Sequence, residues 1–225
     1  GGNFSTGGDV LEDYPSACII NLGDLNVTSC QFNDNRVHCY RYPPDQSAAV
    51  LNLRAGNSSF NNNLFYRNRA SHHGGVARIN SGNHTFSNCT FNGNFSDSDL
   101  CDGLYLDGDA SVQLYNSIMW DTDEPDNEIW IDGGTATLEY CNIQSGWSGS
   151  GSNNFTDPPL FEPGSMGPCY LSPGSSSRDA GSDPASSTCY PVAPGQVCMN
   201  ELSTTVDLVV DSGTVDLGYH SPLNT

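Results

Sequence analysis

A phrase recurs with variation down the first two thirds of this 225-residue chain. It reads TSCQFNDN at 28–35, NNLFYRN at 62–68, NCTFNGN at 88–94, NSIMWDT at 116–122 and YCNIQSG at 140–146. Each copy carries an apolar or aromatic residue at the same place: Phe32, Phe65, Phe91, Met119 and Ile143, at intervals of 33, 26, 28 and 24 residues. Repeats of this length mark stacked supersecondary units, none of which can bury its apolar side alone. The residues favour strands over helices. Cys30 and Phe32, Cys89 and Phe91, and Cys141 and Ile143 alternate with a period of two. Gly, Asn, Asp and Ser punctuate every copy. One coil of a right-handed parallel β-helix, three short strands and three turns, uses about this much chain. The expected fold is therefore all-β: a right-handed parallel β-helix of about five coils whose core ladder is Phe32, Phe65, Phe91, Met119 and Ile143.

Asparagine supports the same register. Asn35, Asn68 and Asn94 each lie three residues past the anchor, where Asn can adopt the left-handed backbone and bond to its equivalent on the next coil. Eleven residues before the anchors come Asn21, Arg54, Asn80 and Asp132, with Asp107 one residue further off, and these read as polar turn positions stacked along one edge.

Charge is distributed unevenly. The net charge is −19, all seven basic residues are Arg, and there is no Lys. Residues 1–96 balance six arginines against six acids, whereas residues 97–225 hold the other 20 acids and only Arg178. In a solenoid, position in sequence maps to position along the axis, so one end should be neutral and the other anionic. Phosphate would be repelled, which disfavours nucleic acid as a partner. No apolar run approaches the roughly 20 residues of a membrane-spanning helix. The chain opens GGNFSTGG with no leader-like segment, as expected of a mature or excised form.

Nine cysteines suggest an oxidising compartment. Cys30, Cys89 and Cys141 share the inward position two before the anchor but fall on alternate coils, too far apart to join each other. Cys18–Cys39, Cys89–Cys101 and a pair among Cys169, Cys189 and Cys198 are the candidate disulfides. Seven Asn-X-Ser/Thr sequons occur, at Asn3, Asn26, Asn57, Asn83, Asn88, Asn94 and Asn154. Asn57 and Asn83 each lie eight residues before an anchor, on the same edge of successive coils, where a row of glycans would fit.

The chain divides into a lead-in segment or partial first coil (1–16), the β-helix (17–147) and a loop-rich extension (148–225) packing on the helix. Loops at Cys39–Gln46 and Asp97–Gly103 lengthen two intervals. In the extension, Thr204–Val210 and Thr214–Tyr219 read as a short hairpin about Asp211-Ser212-Gly213.

The extension carries a family resemblance. The run DPPLFEPGSMGPCYLSPGSSSRDAGS, the upstream NSIMW…NEIWIDGGTATLEYCNIQSG and the terminal VDSGTVDLGYHSP resemble secreted parallel β-helix proteins of the choice-of-anchor Q, pectate-lyase-like type. The resemblance covers about residues 75–222. It implies a right-handed parallel β-helix, secretion and a surface or matrix role, and it brings no catalytic set.

Lyases of this architecture use carboxylate-held Ca²⁺ with a basic residue, and hydrolases use paired acids. Asp107, Asp109 and Asp132 lie at one edge of neighbouring coils, with Arg54 and Arg78 the nearest basic residues. Asp121, Asp123, Glu124, Asp126 and Glu128 place five carboxylates in eight residues, a weak structural Ca²⁺ candidate that lacks the glycine of an EF-hand loop; no other cofactor is expected. The Arg67–Arg78 stretch with His72 and His73 is a basic cluster suited to a partner's acidic surface. Trp120, Trp130 and Trp147 would line a groove in an adhesin or glycan-binding module.

The expected function is that of a secreted, non-catalytic cell-surface structural protein. It would assemble head-to-tail with copies of itself, or meet other surface proteins and glycans, because bare solenoid ends template further pairing. The alternatives are an adhesin or glycan-binding module and a polysaccharide lyase or hydrolase.

Overall fold

A computed structural model describes residues 3–4, 10–11, 17–38, 49–97, 101–121, 127–165 and 167–223. It is an all-β protein built on a parallel β-solenoid. About three turns contribute strands to all three sheets, and partial turns lie at both ends.

The anchor sheet contains the recurring phrase. Its strands run parallel in the order Asn3–Phe4, Gln31–Asn33, Leu64–Tyr66, Thr90–Asn92, Ile118–Trp120 and Asn142–Ile143. Phe32 pairs with Phe65, Phe65 with Phe91, Phe91 with Met119 and Met119 with Ile143. All five anchors are buried. The rings of Phe32 and Phe65 stack at 5.2 Å and those of Phe65 and Phe91 at 4.9 Å. The core ladder read from the repeat is thus a continuous interior file.

The long sheet supplies the facing wall. Its second half aligns Val27, Phe60, Phe86, Leu114 and Leu138 in one inward file. The Phe60 and Phe86 rings stack at 4.6 Å, and Phe86 meets Phe91 edge-on at 5.7 Å across the interior. Two aromatic files therefore close the core between the sheets, each buried ring contributing roughly 1.5–3 kcal/mol of transfer free energy. A short third sheet runs through Val10–Leu11, Arg36–His38, Arg69–Ala70 and Phe95–Ser96.

Two kinds of corner make the turns. Before each anchor strand one residue takes a left-handed conformation: Ser29 (φ 50), Asn62 (56), Asn88 (51), Asn116 (49) and Tyr140 (54). The following position alternates Cys30, Asn63, Cys89, Ser117, Cys141. The Cys30 N–H donates to Asn63 Oδ1 at 2.9 Å, that of Cys89 to Ser117 Oγ at 3.1 Å, and that of Cys141 to Asn154 Oδ1 at 2.9 Å. Thiol rungs thus alternate with polar rungs whose side-chain oxygens satisfy buried backbone N–H groups. This keeps the three cysteines on alternate coils, as the spacing required.

The second corner corrects one expectation. The left-handed residues there are Asp34 (φ 53), Arg67 (53) and Gly93 (62), each one before the asparagine. Asn35, Asn68 and Asn94 are instead the bonding file: Asn35 Nδ2 donates to Asn68 Oδ1, and Asn68 Nδ2 to Asn94 Oδ1, both at 2.9 Å. A fully buried amide does better spanning coils than bending the chain, because each otherwise orphaned carbonyl finds a donor: Asn68 Nδ2 also reaches Phe32 O at 2.9 Å and Asn94 Nδ2 reaches Phe65 O at 3.0 Å. On the edge file, Arg54, Asn80, Asp107 and Asp132 follow register-paired residues, whereas Asn21 pairs one position earlier, opposite Leu53.

The solenoid continues past residue 147, because Ser150–Ser152 pairs with Thr137–Glu139. The C-terminal segment then folds back along the outer face of the anchor sheet. Cys169 and Tyr219 pack on Leu64, and Leu171 and Leu217 on Ile118. Its antiparallel pairs are Phe161–Gly164 with Gly167–Leu171, Cys189–Val192 with Gly195–Cys198, and Leu202–Ser203 with Ser221–Pro222. The hairpin expected over Thr204–Val210 and Thr214–Tyr219 does not form. That stretch instead supplies buried polar groups, and only Thr214 makes an isolated bridge, to Pro184.

Candidate functional site

The long sheet places the carboxylates and arginines of interest. Asn52, Arg78, Tyr105 and Trp130 form one file across its first half. Arg78 Nε and Nη2 donate to Asp107 Oδ2 at 3.1 and 2.5 Å, and Asn80 Nδ2 donates to Asp107 Oδ1 at 2.6 Å. Tyr105 Oη donates to Asp132 Oδ2 at 3.1 Å, and the His73 ring stacks on Tyr105 at 4.3 Å. Burial, then the Asp132 carboxylate, push the Tyr105 hydroxyl up to about 12. The structure thus brings Arg78, Asp107 and Asp132 into one network, while Asp109 stands exposed outside it. Asp107, with both oxygens engaged, ties its coil to the preceding one, and Tyr105 ties the same coil to the following one through Asp132.

The basic cluster is partnered from within. Arg67 lies 3.4 Å from Asp34, Arg69 2.6 Å from Asp97 and Arg78 2.5 Å from Asp107. In each case the partner sits on a neighbouring coil, so the charge expected to face another protein is answered inside the chain. The His72 and His73 ring centroids are 6.3 Å apart and tilted.

Of the acidic run, Asp123, Glu124 and Asp126 lie outside the described residues. Asp121 and Glu128 are buried, together with Asp102 from the preceding loop. Asp121 Oδ1 accepts from the Asn94 N–H at 2.7 Å, Asp102 Oδ1 from the Ser96 N–H at 2.7 Å, and Glu128 Oε1 from the Ser145 N–H at 3.0 Å. These carboxylates act as backbone caps. Burial, reinforced by Asp102 and Glu128, raises the Asp121 carboxyl well above its usual range. Among the described residues no group of three or more His, Cys, Asp or Glu is arranged to hold a metal ion.

The tryptophans do not share a groove. Trp120 packs beneath the C-terminal segment on the anchor sheet, and Trp130 is exposed on the long sheet. Trp147 packs against the end of the core, its Nε1 donating to Ser150 O at 2.8 Å.

Cysteine chemistry is decided by geometry. Cys189 and Cys198 form a disulfide across an antiparallel pair. Cys18, Cys89, Cys101 and Cys169 carry thiols, so the Cys89–Cys101 bridge is not made: one sulfur points into the core and the other lies at the acidic corner. Cys39 lies outside the described residues. Burial pushes the thiols of Cys89, Cys141 and Cys169 up to about 12, which makes them poor nucleophiles.

The sequons divide sharply. Asn26, Asn57 and Asn83 are exposed. Asn57 and Asn83 lie side by side on successive coils, Asn83 Nδ2 donating to Asn57 Oδ1 at 3.0 Å. Asn88 and Asn94 are buried, and Asn154 uses both amide atoms at the corner, its Nδ2 donating to Leu138 O at 2.8 Å. Those three have no room for a glycan. The Asn3 side chain lies outside the described residues.

A buried polar network went unread in the sequence. Asn62 clasps the His220 backbone: its Oδ1 accepts the N–H at 2.6 Å and its Nδ2 donates to the carbonyl at 2.8 Å. Asn116 likewise accepts from the Ser182 N–H at 2.9 Å and donates to Ser182 Oγ at 3.1 Å. His220 Nε2 lies 2.8 Å from Asp211 Oδ2, which also accepts the Asp216 N–H at 2.9 Å. Asp216 holds the Asp179 N–H at 2.7 Å and the Thr204 hydroxyl. The available signal was the shared position of Ser29, Asn62, Asn88 and Asn116, three before each anchor.

Compared with known proteins, the chain matches no family model, no curated protein and no solved structure.

Proposed function

We propose that this chain is an extracellular, non-catalytic structural protein: a right-handed solenoid, five coils when its partial turns through Ile143 are counted, that associates end-to-end. The observation that carries this reading is the state of the C-terminal end. Ile129–Ile131 pairs only with Leu104–Leu106, and Ser150–Ser152 only with Thr137–Glu139, among the described residues. Trp130 and Ile131 are exposed there, at 37% and 43%. At the opposite end of the same sheet Ile20 and Leu22 are exposed at 48% and 70%. Exposed apolar residues at two opposed strand edges favour a heterologous contact, which propagates instead of closing.

Two further observations support the reading. The Cys189–Cys198 disulfide suits an oxidising compartment, and no described helix is long and apolar enough to cross a membrane. The Arg78–Asp107–Asp132 network is read as a structural tie because its partners saturate Asp107.

Light scattering after sizing chromatography, together with negative-stain microscopy over a concentration series, tests the proposal. Lengthwise oligomers are expected, lost in the double variant Trp130→Lys, Ile131→Lys. A wild-type chain that stays monomeric at high concentration would overturn it.

A further inference from the structure

The outer face of the long sheet's second half is built mostly of amide and hydroxyl side chains. Its middle row runs Asn26, Ser59, Thr85, Gln113, Thr137, Ser150, one residue per coil, in unbroken parallel register. A row on one side passes through Asp24, Asn57, Asn83, Ser111 and Thr135, and one on the other through Thr28, Asn61, Ser87, Tyr115, Glu139 and Ser152. Asp24 at one end and Glu139 toward the other are the charged side chains in these three rows, in a chain of net charge −19. The register shift in this sheet falls between Ile79 and Ser81, before the rows begin.

The result is a ruled array of short amides and hydroxyls. Rows repeat at about 4.8 Å across the strands and roughly 6.6–6.8 Å along them. Apart from the carboxylates, each group can both donate and accept, or pairs a donor with an acceptor. Short side chains lose little rotamer freedom on contact, and the coils hold their spacing in advance. The C-terminal segment borders one outer row, where Asn61 and Ser87 share a cavity with Ser187, Thr188 and Tyr190, and leaves the middle row open: Asn26, Gln113 and Ser150 are exposed. Such an array is complementary to a surface that is uncharged, ordered and rich in hydroxyls. Its one aromatic residue, Tyr115, is half-buried in an outer row, so many weak contacts must act together, which favours a solid over a soluble chain. The exposed sequons are a by-product of the same construction, because residues i and i+2 of a strand share a face.

We infer that this face docks onto an insoluble, uncharged polysaccharide. The inference is independent of end-to-end assembly.

The test is depletion of the protein from solution by microcrystalline cellulose and by chitin, using the Trp130→Lys, Ile131→Lys chain so that assembly does not mimic binding. Thr85→Arg and Gln113→Arg place a long cation in the middle row, and Ser186→Arg places one on the C-terminal segment. Circular dichroism melts confirm that each variant is folded. Saturable depletion by at least one polysaccharide, indifferent to salt, is expected. It should be weakened at least about tenfold, or about 1.4 kcal/mol, by either face variant and unchanged by Ser186→Arg. The inference fails if neither polysaccharide depletes the protein, if the face variants bind as well as the parent, or if salt abolishes binding. It fails too if the array retards ice growth while leaving both polysaccharides untouched, since that would assign the face to ordered water.

Discussion

The Asn94 backbone N–H donates to Asp121 Oδ1 at 2.7 Å, so a file of three buried asparagine amides ends on a buried carboxylate. The substitution of acid for amide at this rung brings an electrostatic cost the other rungs lack. Asp121 is raised by burial and by the neighbouring Asp102 and Glu128.

Asp121→Asn should therefore stabilise the protein at neutral pH, by on the order of 1–3 kcal/mol, by removing a buried charge while keeping the acceptor for Asn94. The sign follows from linkage. A carboxyl whose folded value is raised binds its proton more tightly when folded, so stability is greatest at low pH and falls as pH climbs from the ordinary carboxylate range through the raised value. The advantage of Asn should shrink as pH falls toward 4. Urea unfolding of both proteins at pH 7 and pH 4 reads the difference; equal stability at pH 7 would contradict the expectation.

Phe65 stacks between Phe32 and Phe91 and meets Phe86 edge-on at 6.3 Å. Phe65→Ala should cost about 3–5 kcal/mol. Because three rings lose a shared neighbour and Phe86 is one of them, the double variant with Phe86→Ala should depart from additivity. Chemical denaturation across the cycle measures both effects.

Asn62 holds both backbone groups of His220 while itself at φ 56. Asn62→Gly keeps that backbone conformation available and removes only the amide. The expected outcome is local: faster amide exchange across residues 202–223, with protection in the Phe65 and Phe91 strands retained. Uniform loss of protection would show that the C-terminal segment and the solenoid unfold together.

Cys189 and Cys198 close a short loop at a sequence separation of 9. Replacing both with Ser should destabilise that antiparallel pair by roughly 2–3 kcal/mol. Tyr190, packed with Ala185, Met199, Leu202 and Val215, reports on the pair. Proteolysis at 189–198 under native conditions should speed up in the variant, and no change in cleavage would remove the disulfide's structural role.

What the sequence determined by itself was the coil. Phe32, Phe65, Phe91, Met119 and Ile143 recur with a two-residue alternation, and only a stack of parallel rungs gives every one of them the same buried position. The amide file of Asn35, Asn68 and Asn94 was legible for the same reason: identical environments select identical residues. What only the tertiary structure decided were the relations that carry no period. Arg67 finds Asp34 and Arg78 finds Asp107 because stacking sets residues some 30 positions apart a single strand spacing from each other, and nothing local distinguishes a paired arginine from a free one. The stretch 204–219 alternates like a hairpin, yet its Asp211 and Asp216 are drawn into the interior by His220 and Thr204. Burying those groups requires partners brought from elsewhere in the chain: Asp179 reaches Asp216, and His220 reaches Asp211 while its own backbone is held by Asn62 of the solenoid.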